Sequence, residues 1–312
     1  MLLTSIIVTI TYVIHENINF QKWDKCIKKA INGSIYGYSW FLNIVSGHWD
    51  ALIDENYENV MPLPYRKVLG FKILVQPHFA TNLGVYSSQV PDADIVNRFL
   101  AAIPAQFRYL HINLNKYNRL TTGNIRVKHD IHYELDLIRP YPKIHSHYLK
   151  NVLQSLAGAD IYKIAVVPDL NSNDLLQLYK KSKGRIRNLL FQKRINSLKM
   201  LVSTAVRYGI GHIYGAYTRD NDLCAAAFFV FSHQKATLLF VGLNKIAIKE
   251  HALEVIIDEF IKLHSEQNLT LRFEFVSRKK FAAVYQGFGG QRYQFLNIRQ
   301  NRLPWFLKFV QL

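Results

Sequence analysis

Three groups of side chains have types and spacings that could do chemistry. The first is Glu274, with Arg272 before it and Arg278 after it. A carboxylate held beside an amine can accept its proton. The same carboxylate between two arginines is equally suited to a salt bridge. The second is His129, His132, His145 and His147, with Asp130 and Glu134 among them. Two closely spaced pairs of this kind can hold a divalent metal. Strand edges and loops also gather histidines, and no cysteine joins the group, so no metal site is expected. The third is the run Lys180, Lys181, Lys183, Arg185 and Arg187, followed by Lys193, Arg194 and Lys199. Such a run can track phosphates. It lacks the interleaved aromatics on which single-stranded bases stack. A solvated helix face, a polyanion such as tRNA and an anionic membrane surface remain open readings.

The elements that position these residues follow from periodicity. Leu269, Leu271 and Phe273 alternate as in a strand with one buried face, which puts Glu274 at its end. Phe281, Val284, Tyr285 and Phe288 form the apolar stripe of a short helix, where Tyr285 also reads as a core aromatic. Gly289 and Gly290 stop that helix, because glycine accepts positive φ. Tyr293 to Leu296 resumes as a strand. Upstream, residues 246–264 read as one helix and 188–208 as a long, amphipathic, basic one. Between them lie three strand candidates, at 212–217, 225–231 and 236–241. A helix begins near Asn173, with Asn171 or Ser172 as its cap. In the first half, helices are expected over 23–31 and 92–103. Strands are expected over 57–64, 71–77, 109–114 and 133–137. The pattern restarts between 140 and 165, which predicts two domains, 1–150 and 151–312.

The bulk numbers fit that division. Of 312 residues, 49% are hydrophobic and 20% charged, enough for two ordinary cores. Cys26 and Cys224 form no framework of pairs, so a reducing, cytoplasmic setting is expected. Residues 1–14 are apolar and rich in β-branched types. No basic residue precedes them, and they are too few to span a bilayer as a helix, so a buried strand is expected rather than an anchor. The net charge of +17 is uneven. Residues 161–217 hold 10 basic and 2 acidic side chains, and residues 267–312 hold 8 and 1. A field of that sign draws anions. The tail Arg302-Leu303-Pro304-Trp305-Phe306-Leu307-Lys308-Phe309 mixes cations and aromatics in a way that suits a membrane interface. It suits packing against the domain seam equally well.

Helices, three meandering strands, a helix, a strand, a helix ending in Phe-Gly and a last strand is the order of the GNAT acyltransferase superfamily. Residues 165–300 fit it well, and residues 5–140 fit it more loosely. Two such halves in tandem resemble the FemABX-like branch. The chain also resembles a set of bacterial GNAT-like proteins typical of Bacteroidota. The shared landmarks include Trp23-Asp24-Lys25-Cys26-Ile27, Ser39-Trp40-Phe41-Leu42, Trp49-Asp50-Ala51-Leu52 and Val60-Met61-Pro62-Leu63-Pro64. Further along come Gln76-Pro77, Leu83-Gly84-Val85, Tyr133-Glu134-Leu135-Asp136-Leu137, Gly287-Phe288-Gly289 and Asn301-Arg302-Leu303-Pro304-Trp305.

The resemblance implies an α/β (α+β) fold of two GNAT-like domains, each with a mixed, mostly antiparallel sheet flanked by helices. It implies an N-acyltransferase that moves an acyl or aminoacyl group from a CoA thioester or a tRNA ester to an amine acceptor. Glu274 would take the amine proton and Tyr285 would protonate the leaving group. The acyl-CoA pyrophosphate would sit at Gly242, Asn244, Lys245, Ala247 and Lys249. Gln76, Asn82, Arg272, Ser277 and Arg278 would meet substrate. The chain also departs from that set. Ile246, Ala247 and Ile248 stand where those proteins carry Gly-Lys-Lys-Leu-Gly-Ala. Arg272 replaces the acid of Leu-Asp-Phe-Glu-Gly-Ser, the glycine of that motif is gone, and Thr81-Asn82 replaces Gln-Gln. A changed substrate, or a non-catalytic module that keeps a cleft for an anionic ligand, follows equally from these departures.

Overall fold

The computed structural model describes residues 9–121, 125–182, 188–274 and 279–304. The chain forms two compact units. Unit 1 comprises residues 1–130 and 294–312, and unit 2 comprises residues 131–293. The boundary expected at residue 150 therefore lies inside unit 2, and the last segment belongs with the first.

In chain order the elements are β1 (Ile10–Val13), α1 (Phe20–Lys29), α2 (Ser39–Val45), β2 (Trp49–Asp54), β3 (Asn59–Val68), β4 (Phe71–Val75), β5 (Tyr86–Ser87), α3 (Ala93–Ala101), β6 (Phe107–Asn113) and β7 (Arg126–Asp136). Next come α4 (Tyr141–His145), α5 (Lys150–Tyr162), β8 (Ala165–Val167), α6 (Ser172–Ser182), α7 (Leu189–Arg207), β9 (Gly211–Tyr217), β10 (Leu223–Ser232) and β11 (Lys235–Leu243). The chain closes with α8 (Lys245–Lys249), α9 (Ala252–His264), β12 (Thr270–Phe273), α10 (Lys279–Gly287) and β13 (Gln291–Asn301).

In unit 1 the strands run in the order β1-β2-β3-β4-β6-β13, with β5 beside β3. Pro62 and Pro64 sit in the middle of β3, opposite Ala51 and Trp49 of β2. They fit because β3 pairs with β4 only from Tyr65 to Val68, so no ladder donor is needed on the other side at the prolines. Helix α3 starts at Asp92, whose carboxylate accepts the Ile95 N–H. It buries Val96, Phe99 and Leu100 against Leu63, Leu74, Phe107 and Leu110. From α1, Trp23 and Ile27 are buried, and the Trp23 ring lies 5.1 Å from that of Trp49.

The parallel pair β4·β6 ends at Val75 and His111. The gap beyond it is filled by the chain itself. The Gln76 carbonyl oxygen Oε1 accepts the Asn113 N–H, and its Nε2 donates to Ala80 O. Leu83 then bonds through its N–H to Asn113 O and through its carbonyl to Asn115 N, each at 2.7 Å. Gly84 follows at φ +103, and a Cβ there would lie 2.1 Å from Asn118 Oδ1, so only glycine fits. The Asn118 side chain holds Val85 through both its amide atoms.

In unit 2 the order is β7-β12-β11-β10-β9-β8. One face is covered by α9 and α10, with Leu253, Ile256, Ile257, Phe260, Tyr285 and Phe288 buried against Phe229, Leu271 and Phe273. On the other face, α6 brings Tyr179 within 5.6 Å of Phe240. The helix expected over 246–264 is two helices. Asn244 caps α8 by accepting the Ala247 N–H, and His251 breaks the run at φ +57, a left-handed geometry that histidine tolerates better than most residues. Helices α4 and α5 occupy the stretch read as a domain boundary.

Candidate active site

Residues 132, 134, 272 and 274 alternate with apolar neighbours along two adjacent strands. Tyr133 and Leu135 of β7, and Leu271 and Phe273 of β12, point into the core. The register pairs Arg272 with Glu134 and, on its other side, with Thr237 of β11. Alternation therefore places His132, Glu134, Arg272, Glu274 and Thr237 together on the opposite face. All are buried, Glu274 to 1% exposure and Arg272 to 4%. Arg272 Nε lies 2.8 Å from Glu274 Oε1. His132 Nε2 lies 2.9 Å from Glu134 Oε1, and the His132 ring stacks on Tyr293. Burial first, and then the Arg272 charge, hold the His132 imidazole below its usual pKa against the pull of Glu134. The cluster thus carries one guanidinium among two carboxylates and an imidazole that favours its neutral form.

The location has a second feature. The parallel pairing of β11 with β12 runs from Lys235↔Thr270 to Leu238↔Phe273 and stops there. β11 continues to Leu243 with β10 as its partner. At the parting point β11 carries a bulge: Phe228 faces Phe240 and Phe229 faces Leu238, which leaves Leu239 extra. Glu274 is the residue that follows β12 at this fork.

The sequence candidates distribute unequally around it. Arg272 and Glu274 come together. Tyr285 belongs to the core face instead, 2% exposed and stacked on Phe273 at 4.5 Å. Burial first, then Glu274 and Glu254, push its phenol pKa above the usual value, so it stays protonated. Gly242 does not face an open cradle. A Cβ there would lie 2.9 Å from the Tyr179 backbone nitrogen, so this glycine lets α6 approach β11. Asn244 spends its side-chain oxygen on the Ala247 N–H. Ala247 is buried, while Ile246 and Ile248 are 40% and 49% exposed. Lys245 is exposed, and Lys249 lies 5.9 Å from the Tyr162 ring centroid. The loop therefore presents two lysines, while its glycine and one of its amides are committed to structure.

Gln76 and Asn82 belong to unit 1. Gln76 is spent on backbone groups. Asn82 is 1% exposed, and among the described residues neither amide atom of its side chain has a hydrogen-bond partner. Ser277 and Arg278 lie outside the described residues, as do Lys183 to Arg187 and Trp305 to Phe309. The histidine group is dispersed: the His145 ring packs at a tilt against Tyr141 and Tyr148, and His147 Nδ1 meets Lys143 O.

Two polar centres escaped the sequence reading. Tyr141 and Tyr148 both donate to Asp258, at 3.0 and 2.8 Å, and tie α4 to α9. Lys72 pairs with buried Asp50 at 2.8 Å and lies 4.3 Å from the Tyr65 ring centroid. Residues this far apart in sequence give no local signal.

No family model and no curated protein matches the chain. Solved structures match along its length. FemX superposes with a TM-score of 0.59 at 9% identity, over 90% of this chain and 96% of that one. A conserved protein of unknown function from Bacteroides thetaiotaomicron VPI-5482 gives 0.57 at 8%, over 94% and 99%. A tandem GNAT protein from the clavulanic acid biosynthesis pathway gives 0.55 at 10%, over 95% and 99%. The fold is a tandem of GNAT-like domains. Among the described residues, no helix is long and apolar enough to cross a membrane.

Proposed function

We propose that the protein is an N-acyltransferase whose reaction takes place at the fork between β11 and β12. The observation that carries this reading is the buried Glu274 carboxylate at the point where the parallel strands part, beside a bulge on β11. A thioester donor would supply the activated acyl group, and Lys245 and Lys249 would meet its phosphates. Glu274, held beside Arg272, would accept a hydrogen bond from the incoming amine and take its proton as the new amide forms. Tyr285 keeps its proton, as a donor to a leaving group must, although its stacking in the core favours a packing role.

A second reading rests on the Arg272–Glu274 contact and on the commitment of Gly242 and Asn244 to structure. In it the fork binds an anionic ligand without turnover. An aminoacyl-tRNA donor, with the basic α6–α7 region as its track, is the variant of the first reading that salt dependence would reveal.

Calorimetric titration with acetyl-CoA, longer acyl-CoAs and bulk tRNA at two salt concentrations separates these. CoA binding lost on Lys245→Glu, together with amine acylation lost on Glu274→Gln, supports the acyltransferase. Salt-sensitive tRNA binding without CoA binding moves the donor to tRNA. Ligand binding with no acyl transfer to any amine leaves the binding module.

A further inference from the structure

Unit 1 holds a concave site that the proposed chemistry does not use. A cavity of about 390 Å³ lies between α1 and the turn joining β2 to β3. Lys22, Lys25 and Lys29 line it from the helix, Tyr57 and Glu58 from the turn, and Ser88 from the segment after β5. Small-molecule pockets span roughly 300 to 1,000 Å³, so the space is of ligand size.

The three lysines fall at i, i+3 and i+7, one stripe of α1, while Trp23 and Ile27 are buried. All three lysines are exposed. Among the described residues none of them pairs with a carboxylate. The acids nearby are otherwise engaged. Asp24 accepts the Ser39 N–H and O–H at 2.8 and 2.6 Å. Asp54 accepts the Glu58 and Asn59 N–H groups at 2.8 and 2.9 Å. Glu58 is the one acid on the lining, against three cations.

Like charges one turn apart repel and weaken a helix, and Asp24, the acid within α1, is engaged by Ser39. The turn is built to hold its place. Tyr57 adopts φ +58, its hydroxyl oxygen accepts the Asn19 N–H, and its ring lies 5.9 Å from Lys22 Nζ. From Lys22 to Lys29 the helix rises about 10 Å. A single phosphate reaches at most two of the lysines, whereas two or three linked phosphoryl groups cover the stripe.

We infer that this pocket binds a small, soluble polyanion carrying two or more phosphoryl groups, gripped by Lys22, Lys25 and Lys29 with the Ser88 hydroxyl beside them. The site is independent of the fork in unit 2, and so is its test.

The full chain is melted at constant ionic strength in sodium chloride, with phosphate, pyrophosphate or tripolyphosphate added. Pyrophosphate and tripolyphosphate are expected to raise the midpoint saturably, and phosphate much less. The shift should vanish in Lys25→Gln/Lys29→Gln, survive in Lys25→Arg/Lys29→Arg and survive in Lys245→Gln/Lys249→Gln. Without added polyanion, the glutamine variant should melt no lower than wild type, because a repulsion has been removed. The inference is overturned if no polyanion gives a saturable shift, or if the glutamine variant responds as wild type does.

Discussion

Arg272 and Glu274, two residues apart on one strand, share a 2.8 Å contact in a setting where both are almost fully buried. The guanidinium neutralises a carboxylate that water cannot reach, and Glu134 faces the same arginine from β7. Removing the cation strands both acids. Arg272→Met is therefore expected to destabilise the protein by about 3–5 kcal/mol, read as a lower urea midpoint. Glu274→Gln keeps an acceptor for Arg272 and should cost much less. If Glu274 is the base, that variant loses about 10²–10⁴-fold in acyl transfer with donor affinity unchanged.

Three histidines share one direction of shift. His132, His111 and His264 are each held below their ordinary value of 6.5, chiefly by burial. As pH falls, the unfolded chain takes up those protons first. Stability is full above about pH 6.5 and declines below it, through the lowered folded values. The melting midpoint is expected to fall between pH 7.5 and 5.5, and His132→Gln should flatten that slope. An unchanged slope would remove His132 from the account.

Gly242 offers a clean separation of two roles. A Cβ at 2.9 Å from the α6 backbone forces a shift of packed elements. Gly242→Ala should lower stability by about 1–3 kcal/mol. A variant that melts like wild type but no longer binds CoA would show instead that the glycine serves the donor.

Asp258 receives hydroxyl donors from both Tyr141 and Tyr148. Burial, and then the Asp258 charge, push both phenols above their usual pKa, so both remain donors at every physiological pH. Asp258→Leu leaves two phenols without their acceptor. A loss of about 1–3 kcal/mol per stranded group is expected, with earlier exchange of the α4 and α5 amides than of β10.

Much of this architecture was legible from periodicity. The alternation of Leu269, Leu271 and Phe273 led to the right strand, and the helices expected from 92 and 188 begin at Ala93 and Leu189, because these signals are local. Residues 141–162 were missed. Their stripe is weak, and Gly158 sits within it. The single helix expected over 246–264 failed at His251, where tertiary packing selects a left-handed residue that propensity alone would not place. At the site, Glu274 and Arg272 were legible as neighbours on one strand. The partnership of Arg272 with Glu134 was not, since strand register across more than a hundred residues leaves no trace in spacing. The close approach of α6 to Gly242 was not legible either, because spacing alone could not bring that helix alongside.

The segment from Gln76 to Val85 lies along the end of β6 as a makeshift strand, tied at Asn113, Asn115 and Asn118. A seam closed from within by side-chain amides has no separate opening motion, because each tie must break before the next residue can leave. Deuterium uptake at Leu83, Val85 and Asn115 should therefore follow the global unfolding of unit 1 rather than local fluctuation. The amides of Val241 and Leu243 in unit 2, which alternate with the Asn244 N–H bonded to β10 and lie beyond the last rung shared by β11 and β12, should exchange sooner than those from Ala236 to Leu238.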